Sequence, residues 1–82
     1  MQEMLLILSR CLTIRKSPRS LKTFYRFHFK GFYTGVKIKE IHVFPYQKEN
    51  LIKGRDYLLW VRHITVKGPI LEVELLKHKE IK

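Results

Sequence analysis

The segment TFYRFHFK, residues 23–30, limits the fold more than any other part of the chain. Aromatic residues at 24, 25, 27 and 29 are interleaved with Arg26, His28 and Lys30. Successive side chains of a strand point to opposite faces, so Tyr25, Phe27 and Phe29 share one face. Phe24, Arg26, His28 and Lys30 share the other. The first face suits a core. The second is basic with an aromatic at its edge, which a solvated strand face does not require, and function is sought there. Six of the ten aromatic residues lie between Phe24 and Tyr33.

With 82 residues the chain has room for one domain, near the lower limit of what folds without staples. A hydrophobic share of 45% with 12% aromatics is too apolar for a disordered chain. Cys11 is the only cysteine, which rules out an internal disulfide and fits a reducing compartment, so a cytoplasmic location is expected. The longest apolar run, residues 4–8, is far shorter than the roughly 20 residues of a membrane-spanning helix.

The net charge of +10 is unevenly placed. Nine Lys/Arg and no Asp or Glu lie between Met4 and Lys39, whereas residues 40–82 hold eight basic and six acidic residues. The first half therefore carries the field that attracts polyanions: nucleic acid, an acidic lipid surface or an acidic protein.

Residues 4–16 are compatible with two elements. As a strand, Leu6, Leu8, Leu12 and Ile14 alternate onto one face, with Arg10 breaking the row; as a helix, Met4, Leu5, Leu8, Cys11, Leu12 and Arg15 form a stripe. The β-branched Ile7, Thr13 and Ile14, and the strands that follow, favour a strand with the first set inward. Ser17-Pro18-Arg19-Ser20 is a turn with Arg15, Lys16, Arg19 and Lys22 around it, a solvated loop or a binding loop. Gly31 and Gly35 bracket a hairpin connection. In the next strand, residues 36–44, Val36 and Ile38 share one parity but Ile41 and Val43 the other, which implies a β-bulge near Lys39-Glu40. That slip brings Lys37, Lys39, His42 and Phe44 onto the outer face. Pro45 opens a short helix that Gly54 ends, with Leu51 and Ile52 available to cap the core. A strand over residues 57–66 puts Tyr57, Leu59 and Val61 on one face and Leu58, Trp60 and Arg62 on the other; Trp60 is either a core residue or a partner anchor. Lys67-Gly68-Pro69 turns into a last strand, residues 70–76, with Leu71, Val73 and Leu75 opposite Glu72 and Glu74; the charged end KHKEIK frays or extends it.

No catalytic or cofactor motif accompanies this pattern. His28, His42, His63 and His78 lack a metal-ligand spacing and Cys11 has no sequence partner among them. No glycine-rich phosphate loop, nucleophile elbow or HExxH is present. A binding protein without enzymatic activity or cofactor is expected.

The expected fold is all-β with one short helix. The order of strand, basic loop, strand, hairpin, bulged strand, short helix and two further strands resembles the OB-fold, a small five-stranded barrel. The stretch LIKGRDYLLWVRHITVKGPILEVELLKHKEI, residues 51–81, is similar to the end of bacterial single-stranded-DNA-binding and PriB-type primosomal proteins. Two departures are a short helical segment and, within these residues, no acidic tail. The resemblance implies a ligand across the second and third strands, flanked by the first–second and fourth–fifth loops. Carried onto this chain, those positions are Phe24, Arg26, His28, Lys30, Lys37, Lys39, His42 and Phe44, with Arg15, Lys16, Arg19, Lys22 and Lys67 in the flanking loops.

The leading expectation is an OB-like module binding single-stranded DNA or RNA with little sequence preference, cations tracking phosphates and aromatics stacking on bases. A second reading is an assembly subunit whose basic face docks an acidic protein, with an oligomer contact through strand edges or Trp60. A third makes the first 20 residues a targeting or membrane-surface helix.

Overall fold

The computed structural model describes residues 4–16, 23–46 and 50–81, with Arg15 and Lys16 as backbone only. The expected turn at residues 17–20, with Arg19, and also Lys22 lie outside the described residues. The described residues form five strands: β1 (Met4–Lys16), β2 (Thr23–Tyr33), β3 (Val36–Pro45), β4 (Asp56–Lys67) and β5 (Ile70–Ile81). They close into a barrel in the order β1-β2-β3-β5-β4, antiparallel at every seam except the parallel β3–β5 pair. Closure removes the open sheet edges that would otherwise invite pairing with another chain. An all-β, five-stranded closed barrel is thus established, and its order and size fit an OB-like barrel.

Turn chemistry supports this closure locally. Tyr33 pairs with Val36 across a two-residue turn in which Thr34 and Gly35 both have positive φ, the type I′ geometry that matches strand twist. β2 therefore runs through Gly31 and on to Tyr33, further than the glycine bracket suggests. Gly68-Pro69 joins β4 to β5 with positive φ only at Gly68, a pattern that suits proline at the second position. The charged end of the chain extends β5 to Ile81.

The barrel interior holds the expected face of the aromatic strand. Phe27 is fully buried with its ring edge-on to Tyr57 at 6.2 Å, and Tyr25 is nearly so. Phe29 packs partly buried against the same core. Ile38, Ile41 and Val43 of β3 are all buried, so the parity change along β3 is real. In the β2–β3 ladder, His28 faces Glu40 and Gly31 faces Ile38. Two residues of β2, Phe29 and Lys30, thus stand against Lys39, and the bulge sits at the expected height with its extra residue on β2.

Two expectations are corrected. The first is the short helix near residues 45–53: no helix occurs among the described residues. Pro45 pairs with Leu75 inside the parallel ladder, and the Tyr46 N–H donates to the Leu75 carbonyl at 3.0 Å, so the strand consumes the positions where a helix would begin. Residues 47–49 lie outside the described residues. Further on, the Leu51 and Ile52 N–H groups donate to the hydroxyls of Tyr25 (3.4 Å) and Tyr57 (2.8 Å). The Gly54 N–H donates to the Cys11 carbonyl at 2.7 Å. With its donors committed to the barrel, the segment is an irregular plug, and Leu51 is buried while Ile52 is exposed.

The second correction concerns β1. Leu6 and Leu8 point outward, 56% and 66% exposed, while Ile7 and Cys11 fill the core. Leu12 is the extra residue of a bulge: Cys11 faces Phe27, but Thr13 faces Arg26. Beyond it the parity reverses, so Ile14 stands opposite Tyr25, yet it is half exposed. The run MLLIL is apolar at every position and carries no alternation from which the inner row can be chosen. Because residues 4–16 are a strand, a membrane-surface helix there is also excluded. Among the described residues, no helix is long and apolar enough to cross a membrane.

Candidate nucleic-acid interface

The outer wall over β2 and β3 gathers four of the thirteen expected site residues, Phe24, Arg26, His42 and Phe44, into one patch. Burial of Tyr25, Phe27, Ile41 and Val43 forces Phe24, Arg26, His42 and Phe44 outward. Arg26 and His42 are direct cross-strand partners. The ring of Phe24 lies 4.8 Å from that of His42 and 5.1 Å from that of Phe44, each tilted by 31°. All three rings are partly buried against one another and leave their remaining surface to solvent.

Glu40 locks the neighbouring cation. Arg26 donates to it through Nε (3.2 Å) and Nη2 (2.6 Å), and through Nη1 to Thr13 Oγ1 (3.2 Å). His42 Nε2 lies 2.7 Å from Glu40 Oε1, the oxygen that Arg26 Nε also reaches. Hydrogen bonding from the Arg26 guanidinium, reinforced by His42, lowers the Glu40 carboxyl from its ordinary 4.5 to about 2. The same bond raises the Arg26 pKa. Arg26 is therefore held rigidly beside the rings, with its charge largely offset.

The free positive charge lies nearer the hairpin. Lys30, Lys37 and Lys39 are exposed and form no ion pair among the described residues. His28 is exposed opposite Glu40, and its carbonyl accepts a hydrogen bond from Ser9 Oγ. The Lys39 N–H donates to the Pro69 carbonyl at 2.7 Å, stitching the β4–β5 turn to this end of the wall. Lys67, beside that turn, is paired with Glu72 at 3.2 Å and is not brought to the rings. On the opposite flank, the backbone of Arg15 stands opposite Phe24 and that of Lys16 opposite Thr23.

Three features escape the sequence reading. Phe32, 71% exposed and facing Lys37 across the ladder, extends the aromatic surface. Its even parity with Phe24, Arg26 and His28 was the available signal. At about 3.3 Å per residue, the wall from Phe24 to Phe32 is about 26 Å long. Glu40 was hidden by its place at the parity slip. Finally, β5 sets carboxylates beside the rings: Glu72 faces His42 and Glu74 faces Phe44 in the parallel ladder. Arg62 holds Glu74 at 2.7 Å and packs under Tyr46, whose ring centre is 5.0 Å away. Among the described residues the wall is thus graded, with exposed lysines toward the hairpin, rings at the other end of β2 and β3, and carboxylates along β5.

No group of described residues could hold a metal ion. Cys11 is fully buried, and burial pushes its thiol pKa up, away from reactivity. Compared with known families, curated proteins and solved structures, the chain matches none.

Proposed function

We propose that the outer wall of β2 and β3 binds single-stranded nucleic acid with little sequence preference. The observation that carries the reading is the Phe24–His42–Phe44 ring cluster on an outer wall that has no core to fill, with exposed lysines further along the wall toward the hairpin that form no ion pair among the described residues. Base faces stack on exposed aromatic rings at about 1–3 kcal/mol per base and tolerate any sequence. Phosphates follow the cations, so the backbone of the strand runs on the side of Arg26, Lys30, Lys37 and Lys39, away from Glu72 and Glu74. Arg15 and Lys16 continue this flank by their backbone positions. The strand order of the closed barrel fits this OB-like reading, which rests for its ligand class on the resemblance of residues 51–81 to single-stranded-DNA-binding and PriB-type proteins. It is that of a non-catalytic module suited to the cytoplasm, where the Cys11 thiol stays reduced.

Counterion release gives the test its number. Three phosphates neutralised by Lys30, Lys37 and Lys39 predict a log–log salt slope of about −0.7 × 3, roughly −2, for a single strand. Affinity then falls about 18-fold between 50 and 200 mM salt. Titration of fluorescent oligonucleotides with wild-type protein and with Lys30→Ala/Lys37→Ala should show a slope flatter by about 1.4 in the variant. Folded protein that binds no oligonucleotide at 50 mM salt overturns the reading and favours an acidic protein as the partner of this wall.

A further inference from the structure

The opposite wall, over β1, β4 and β5, is not explained by nucleic-acid binding. Its residues form rows across the three strands. Leu6 faces Trp60, which faces Lys77; Leu8 faces Leu58, which faces Lys79. Residues opposite one another in a ladder project from the same side. The two rows therefore form one surface, apolar over β1 and β4 and cationic over β5. Met4, at the end of this surface, is exposed as well. Ion pairs close the surface at both ends: Arg10 with Asp56 at 3.0 Å, and Arg62 with Glu74 at 2.7 Å. Between them, Lys77 and Lys79 are exposed and form no ion pair among the described residues. The Lys77 ammonium lies over the Trp60 ring, 4.5 Å from its centre.

We infer that this wall is a docking site for an acidic segment of a partner protein, whose apolar side chains cover Leu6, Leu8 and Trp60 and whose carboxylates meet Lys77 and Lys79. Contiguous exposed apolar residues with a polar rim mark such surfaces. The charge pattern selects among occupants. If the same wall of a second copy were the occupant, its described carboxylates Asp56 and Glu74 would already be paired and would offer the two lysines nothing free. An anionic bilayer or a phosphate backbone would press its charge against those same carboxylates. Leucines, moreover, offer bases no stacking face. An acidic, apolar polypeptide satisfies both halves of the surface. The inference is independent of the nucleic-acid reading, because no residue of the ring cluster takes part.

The test is selection of a displayed library of random 12-residue peptides on the full chain, followed by synthesis of the enriched sequences. Enrichment of peptides combining Asp/Glu with Leu, Ile, Phe or Trp is expected. Their affinity should fall at least about tenfold with Leu8→Glu, the loss of one central anchor. It should fall about threefold with Lys77→Ala/Lys79→Ala, and oligonucleotide binding should be unchanged by Leu8→Glu. Because Leu8 is exposed, Leu8→Glu should fold, and Leu8→Ser serves as the milder variant if it does not. Enriched peptides without acidic residues, no enrichment, or binding that survives both Leu8 variants overturns the inference. So does a dimer in sedimentation that Leu8→Glu dissolves, which would make the occupant a second copy. Leu8-dependent pelleting with phosphatidylserine vesicles would make it a lipid surface.

Discussion

The two outer walls of the barrel share one backbone geometry and differ in the company their apolar groups keep. Over β2 and β3, rings pack against rings, and the adjacent cation is fixed by a carboxylate: Phe24, His42 and Phe44 touch, while Arg26 is held by Glu40. Over β1 and β4, Leu6 and Leu8 stand largely in solvent, and among the described residues the ion pairs of this wall lie at its two ends. Aromatic faces with exposed lysines further along the same wall suit a flat, charged, stackable ligand. Aliphatic side chains with a one-sided lysine edge suit a polypeptide. Exposure alone would have grouped the two walls together; the chemistry and pairing of the neighbours separate them.

The comparison is broken most severely by changing what lies beneath a wall. Phe27→Ala removes a fully buried ring under the aromatic wall and should cost about 3–5 kcal/mol, enough to unfold much of so small a domain. Phe24→Ala, on the outside of the same strand, should cost about 1 kcal/mol or less in urea denaturation. Equal losses would mean that the two faces of β2 have been exchanged.

A second intervention acts on the clamp. Because the folded Glu40 carboxyl titrates near 2 instead of 4.5, it contributes stability that is fully present above pH 4.5 and is lost as pH falls toward 2. Melting temperatures measured from pH 6 to 2 should show this loss, and Glu40→Gln should flatten that part of the profile. A variant with an unchanged acid limb would show that the clamp adds nothing to the fold. The smallest effect is expected on the other wall. Leu6→Gln should change the melting temperature by no more than about 2–4 °C, roughly 0.5 kcal/mol, because the side chain is already largely in water.

The aromatic strand was legible because its alternation is strict: Phe27 and Tyr25 are core, as their parity requires, and the bulge near Lys39 follows from Ile38 and Ile41 both needing the interior. β1 was not legible. A run that is apolar at every position fits either orientation, and the choice is made by which row meets Tyr57, Leu59 and Val61 of β4 inside the barrel. The expected helix failed for a related reason. Pro45 and Gly54 are good helix boundaries, but the tertiary partners Leu75, Tyr25, Tyr57 and Cys11 claim the backbone groups between them. In the candidate site, residue types showed where rings and cations lie, but not that Glu40 offsets Arg26, a pairing made across two strands.

The most direct test of the central claim separates stacking from charge on the aromatic wall. Oligonucleotide affinity should be measured across a salt series for wild type, Phe24→Ala, Phe44→Ala and the outer-wall control Leu8→Ser. Each phenylalanine variant should lose about 1–3 kcal/mol of binding at every salt concentration while keeping a slope near −2, because stacking releases no counterions. Leu8→Ser should match wild type. If both phenylalanine variants bind as tightly as wild type, the ring cluster is not a base platform and the claim is wrong.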